Sequence, residues 1–161
     1  LRSATAAGLD GVLLPRRGAP AIDPLVVKAS AGVAFRAPVL RAATAEEGCA
    51  VLRDGGFTVL GLDAAGATLL DADLPRRVAL VLGNETDGLS PEVRALCDGL
   101  LAIPMEGGVE SLNVASAGAV AAFEASARSV SSAARARSLR ETRPSISQSR
   151  GRPAASGHIH A

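Results

Sequence analysis

Tryptophan and tyrosine are missing altogether and phenylalanine occurs three times, so aromatics make up only 2% of the 161 residues. A stacking platform for single-stranded nucleic acid needs several exposed rings, and this composition excludes one. Histidine is confined to His158 and His160 at the far end, so the body of the chain holds no Ser-His triad, and no GxSxG is present. The glycine-rich stretch "GNETDG" (83–88) lacks the Lys-Ser/Thr of a Walker A loop and is not GxGxxG, which counts against the nucleoside triphosphate and NAD readings. The only cysteines, Cys49 and Cys97, form no CxxC pattern. Zinc therefore lacks ligands in the core, no metal is expected, and a reduced, cytoplasmic setting follows. No apolar run approaches the ~18 residues of a membrane span, and no signal peptide opens the chain, so a soluble protein without membrane partners is expected. The chain enters "LRSATAAGLDGVLL" directly at Leu1 and reads as a fragment whose true start is missing.

What is present is 48% apolar, mostly Ala, Val and Leu, enough for one domain with a core. The net charge of +1 hides an asymmetry: residues 1–126 carry ten Lys/Arg against fifteen Asp/Glu, and residues 127–161 carry seven Arg against one Glu. The composition shifts at the same place, to an Arg/Ser-rich stretch with few large apolar residues. Such a stretch buries too little surface to offset ordering entropy. The expected organisation is a folded domain over 1–127 and a disordered tail over 128–161, which reads as a solvated extension before it reads as a binder of RNA phosphates. His158 and His160 form an HxH at a floppy terminus, a poor metal site.

Over the domain, strand and helix signals alternate. "GVLL" (11–14), "APVLRA" (37–42), "FTVLGLD" (57–63), "RVALVLGNE" (77–85) and "LLAIPM" (100–105) read as strands. "LRSATAAG" reads as the end of a helix, and "DPLVVKAS" as a helix capped by Asp23 with Pro24 at its first position. "TAEEGCAVLRDGG" has a capping box from Thr44 to Glu47 and a double-glycine stop. "SPEVRALC" is a short helix behind Ser90, and residues 112–126 form the last one, with an Ala/Val face around Val114, Ala117 and Ala121 narrow enough for contact between two copies. The pattern predicts an α/β fold with a mostly parallel sheet and helices on both faces. Ligands of such sheets sit outside the carboxyl ends of the strands. The loops 83–90 and 104–111, and the turn after Leu62, are the candidates. Glu85 and Asp87 could pair as acid and base or stand as solvated charges, and Lys28 is a helix-surface lysine before it is a Schiff-base one. Spacing alone reaches a small-ligand-binding domain and no reaction.

"LVLGNETDGLS" (80–90) followed by "IPMEGGVESLNVASAGAV" (103–120) resembles the second and third motifs of the SpoU (TrmH-like) class of RNA ribose 2′-O-methyltransferases. "LRSATAAGLDGVLL" resembles the end of their first motif, and "KASAG" (28–32) also recurs there. The likeness covers residues 1 to about 125, and "VLGLDAAG" (59–66) leans toward the ribosomal-RNA guanosine branch. It implies a C-terminal trefoil knot of the SPOUT kind, S-adenosylmethionine as cofactor, RNA (ribosomal or transfer) as substrate, and a homodimer. Residues 79–126 would be the knotted part, where glycines let loops cross closely.

By the same resemblance Gly83, Ile103, Pro104, Met105 and Leu112 would bind the cofactor, and Arg2, Glu85, Ser111 and Asn113 would carry the catalysis. On the residues alone, Ile103 and Leu112 read as ordinary core and Gly83 as an ordinary turn. Arginine is a poor base, with a pKa above ~12. Arg2 is therefore expected to clamp the phosphate beside the reacting ribose, while Ser111 and Asn113 bond the ribose or orient Arg2. Glu85 is expected to hold its loop or position a cation. The family's first motif also has an Asn shortly before the arginine, and this chain begins after it. Arg16, Arg17, Arg36 and Arg41 are the candidates for a local basic patch on an otherwise acidic core. The alternatives are a non-catalytic knot module that binds RNA or a nucleotide, and a nucleotide-sugar or dinucleotide binder of ordinary topology.

Overall fold

The computed structural model describes residues 1–17, 22–109 and 111–141, with side chains as far as residue 128. The helices start where the sequence supplies caps. Asp23 Oδ1 accepts from the Val26 N–H at 2.9 Å ahead of α2 (Pro24–Ala29), and Ser90 Oγ accepts from Val93 N–H at 3.3 Å ahead of α4 (Pro91–Leu96). At α3 (Ala45–Asp54) Thr44 Oγ1 accepts from Glu47 N–H at 3.2 Å, and Glu47 returns a carboxylate to Ala43 N–H at 2.7 Å. That is the expected capping box displaced by one residue. Each such cap stabilises its helix by roughly 1 kcal/mol. A five-residue helix α1 (Arg2–Ala6) opens the chain.

The strands are β1 (Val12–Pro15), β2 (Val39–Ala42), β3 (Thr58–Thr68), β4 (Val78–Val81) and β5 (Gly99–Ala102). Every ladder between them is parallel. They do not form one continuous sheet: β1 pairs with β2, and β3 lies between β4 and β5 in a second sheet. Helix α3 joins the two sheets, packing on β1, β2 and β3. The chain β2–α3–β3 is thus a crossover in which α3 returns against the strands, so β2 and β3 finish at the same end of the domain.

Alternation along β3 feeds two cores. Val59, fully buried, packs with Cys49 of α3 and Val93 of α4, while Leu60 and Leu62 face a second cluster of Leu69, Leu101 and Ala121. Helices therefore cover both faces of the three-stranded sheet, α3 and α4 on one and α5 (Val114–Glu141) on the other. The turn expected after Leu62 takes the form of a bulge inside β3: Asp63 Oδ1 accepts from Ala65 N–H at 2.9 Å, and the strand runs on to Thr68 and pairs again with β5. Gly66 permits this: a Cβ there would stand 2.5 Å from the Leu100 carbonyl carbon.

Helix α5 is longer than the pattern at 112–126 allows. Arg128, placed by composition at the start of a disordered tail, is half-buried and anchored. Its guanidinium donates to Ala72 O at 2.7 Å, to Leu70 O, and to Glu124 at 2.7 Å. The boundary at 127/128 thus falls inside an element, and the rest of the proposed tail from residue 142, with His158 and His160, lies outside the described residues. The face of α5 expected to meet a second copy is turned inward: Ala121 is in the core, and Val114 and Ala117 border a cleft. Val120 and Phe123 point outward instead, at 39% and 53% exposure. Among the described residues no helix is long and apolar enough to cross a membrane.

Candidate functional site

Strand β4 ends at Val81, and residues 83–88 fold back on themselves. Asn84 and Gly88 exchange backbone hydrogen bonds at 3.0 and 3.2 Å, and Gly88 takes φ +67° to close the turn. Inside it, Asn84 Oδ1 accepts from the Thr86 and Asp87 N–H groups at 2.9 and 2.6 Å, an Asx turn. Gly83 is required by packing: a Cβ at this position would run into the Gly88 backbone. "GNETDG" is thus a self-closed hairpin tip that presents Glu85.

The second loop descends from β5 through Gly107 and Gly108, both at positive φ (+68° and +74°), to the start of α5. Asn113 starts that helix. Its carbonyl accepts from Ala117 N–H at 2.9 Å and its Oδ1 from Ala115 N–H at 2.9 Å. Its other end, Nδ2, donates to the Glu85 carboxylate at 2.7 Å. One side chain both caps α5 and ties the two glycine-rich loops together.

Between the loops lies an open cleft of about 340 Å³, a size typical of small-ligand sites. Gly83, Glu85, Ser111 and Leu112 border it, together with Leu62, Leu82, Asn84, Thr86, Gly88, Val114 and Ala117. Leu82 and Leu112 keep 36% and 38% of their surface exposed, apolar area without a protein partner to cover it. The wall combines backbone at Gly83 and Gly88, the apolar side chains of Leu62, Leu82, Leu112 and Val114, and the polar side chains of Asn84, Glu85, Thr86 and Ser111.

The other sequence-derived residues stand apart from the cleft lining. Ile103 packs against the Leu69–Leu101–Ala121 core, and Pro104 and Met105 are exposed on the segment leaving β5. Arg2 opens α1, which packs on α5, and its exposed side chain makes no hydrogen bond or ion pair among the described residues. Burial pushes the Cys49 and Cys97 thiols up, and both sit in the α3–α4 core, away from the cleft. Asn84 is one of the lining residues that sequence reasoning missed, together with Leu82, Thr86 and Gly88. Its signal was present, since Asn two residues before a Thr-Asp-Gly turn is an Asx-turn signature.

Residues 1–123 match the model of the SpoU rRNA Methylase family. A 23S rRNA (guanosine-2′-O-)-methyltransferase RlmB of Xanthomonas axonopodis pv. citri is 44% identical over 126 residues, which are 78% of this chain and 51% of that protein. Among solved structures, the SpoU methyltransferase AviRb of Streptomyces viridochromogenes, in complex with the cofactor AdoMet, superposes with a TM-score of 0.73 at 34% identity, covering 81% of this chain and 51% of that one. An AdoMet-bound rRNA methyltransferase of Sinorhizobium meliloti gives a TM-score of 0.71 at 32% identity, covering 77% and 48%. The chain spans about half the length of the curated relatives it matches.

Proposed function

The chain belongs to the SpoU rRNA Methylase family, and on that footing we propose that it transfers a methyl group from S-adenosylmethionine to a ribose 2′-hydroxyl of RNA, with guanosine of ribosomal RNA the first substrate to test. The observation that carries this reading is the Glu85–Asn113 link, which brings the second and third family motifs to the two sides of one cleft.

The lining fits the cofactor. Gly83 and Gly88 offer backbone at close range, and Leu82 and Leu112 offer apolar surface for adenine. Bound there, S-adenosylmethionine supplies a methyl group on a sulfonium, a carbon activated toward displacement. Pro104 and Met105 are assigned to the cofactor side as well, and Ile103 supports them from the core. Methyl transfer needs alignment and a nucleophile with its proton loosened. Arg2 is assigned to clamp the phosphate next to the reacting ribose, where its charge stabilises the developing alkoxide and the proton leaves to that phosphate or to water. Ser111 is assigned to the ribose. Asn113 has both polar ends engaged, so it and Glu85 are positioning residues that hold the loops.

The trefoil knot belongs to the same proposal. Knots are very rare, and what supports one here is the likeness to the SpoU rRNA Methylase family over residues 1–123. A homodimer is supported by the outward Val120–Phe123 face of α5, and a cytoplasmic location by RNA as substrate. Calorimetric titration with S-adenosylmethionine and tritiated methyl incorporation into ribosomal RNA test the function. Arg2→Ala is expected to retain binding and to lose about a hundredfold in rate, the weight of one oriented electrostatic contact. Binding without incorporation would leave the non-catalytic module.

A further inference from the structure

The net charge of the folded part is divided by sheet. Residues 1–42, which build the β1–β2 sheet, hold six Lys/Arg (Arg2, Arg16, Arg17, Lys28, Arg36, Arg41) and two acids, a net of +4. Residues 43–126, which build the other sheet and the cleft, hold four Lys/Arg and thirteen acids, a net of −9. The arginines of the second part are largely engaged. Arg53 pairs with Asp98 at 3.1 Å, Arg94 pairs with Asp63, and Arg77 lies over Phe57 while donating to Gly55 O. Those of the first part are free: among the described residues Arg16, Arg17 and Arg41 are exposed and make no side-chain hydrogen bond or ion pair.

The backbone draws these three together. Arg41 lies on β2 opposite Leu14 of β1, and the β1 chain continues past its last pair with Arg16 N–H donating to Ala42 O at 2.9 Å and Arg17 N–H to Ala43 O at 3.2 Å. They therefore stand at the carboxyl edge of the β1–β2 sheet. The β2–α3–β3 crossover puts that edge at the same end of the domain as the cleft, whose loops carry Glu85, Asp87 and Glu106. A polyanion approaching the cleft meets like charge from the loop side and unpaired cations from the β1–β2 side.

We propose that Arg16, Arg17 and Arg41 form the RNA entry surface, binding backbone phosphates of nucleotides that flank the one in the cleft. The proposal rests on RNA being the substrate, and it adds the path by which the strand arrives. Each phosphate neutralised on single-stranded RNA releases counterions and contributes about 0.7 to the slope of log K against log salt.

The test measures anisotropy of a fluorescent 20-nucleotide single-stranded RNA against the whole chain over a potassium chloride series, for wild type, R16A/R17A/R41A, R16K/R17K/R41K and Arg76→Ala. The expected result is a weaker affinity and a slope smaller by about 2 for the alanine triple, with the lysine triple and Arg76→Ala keeping the wild-type slope. An unchanged slope in the alanine triple overturns the proposal, as does wild-type protein that binds no RNA. Thermal unfolding and S-adenosylmethionine titration of the same variants separate the outcomes. Loss of fold appears in the first. Failure of the methyltransferase reading appears as absent cofactor binding in wild type, whatever the slopes.

Discussion

Asn113 donates a hydrogen bond to Glu85 at 2.7 Å across 28 residues of sequence, while its own oxygen caps α5. The geometry of the cleft depends on that one amide. Asn113→Ala removes a helix cap and the tie between loops, so it should lower stability by about 1–2 kcal/mol. Glu85→Gln keeps an acceptor for the amide and should cost less. Differential scanning calorimetry of the two variants checks the order, and an Asn113→Ala midpoint equal to wild type would remove the cap from the account.

Gly83 and Gly118 both face the cleft region, with different neighbours. A methyl at 83 meets the Gly88 backbone, which cannot yield without opening the hairpin, whereas a methyl at 118 meets the end of the Leu82 side chain at 3.1 Å. Gly83→Ala should abolish S-adenosylmethionine binding and Gly118→Ala should leave it within a few-fold. Leu112→Asp, which sets a carboxylate against the proposed adenine surface, should weaken binding roughly a hundredfold. Isothermal titration of the three variants reads all these effects, and Gly83→Ala binding like wild type would contradict the fold-back of this loop.

Arg128 holds α5 to the turn at residues 69–72 through the carbonyls of Leu70 and Ala72. Arg128→Ala should cost about 1–2 kcal/mol, the lower end for hydrogen bonds to a charged group because the side chain is partly exposed. Urea unfolding monitored by circular dichroism measures it. A loss near zero would mean that the anchor is not used in solution.

Burial holds the Cys49 and Cys97 thiols above their ordinary value, with the charges of Cys49 and Asp98 adding to the effect at Cys97. An acid whose folded pKa is raised stabilises the fold fully below its unfolded pKa of about 8.5, and that stabilisation is lost as pH rises toward the folded value. The thermal midpoint should therefore fall between pH 8 and pH 10, and less steeply in a Cys49→Ala/Cys97→Ala double variant. Parallel declines in the two proteins would contradict the assignment.

Local chemistry was legible in the sequence, and long-range packing was not. Asp23, Thr44 and Ser90 announced their helices because a cap needs only the next three residues. The strands appeared as apolar runs, yet nothing in those runs tells that β2 and β3 lie in separate sheets. Glu85, Ser111 and Asn113 were found through long motifs, and they converge. Ile103 sits in the core, since an apolar residue just past a strand end reads alike whether it faces a ligand or Ala121. The inward face of α5 was misjudged for the same reason: an alanine-rich helix shows little contrast between its sides, and Ala121 gives no sign of the sheet beneath it. Arg128 looked like tail because its partners are backbone carbonyls, which carry no sequence signal.

The central claim is chemical, and the position of the transferred methyl group tests it most directly. Ribosomal RNA incubated with the chain and deuterated-methyl S-adenosylmethionine, then digested to nucleosides and analysed by mass spectrometry, should yield label on ribose, as a 2′-O-methylated nucleoside. Label on a base, or none from protein that binds the cofactor, would contradict it.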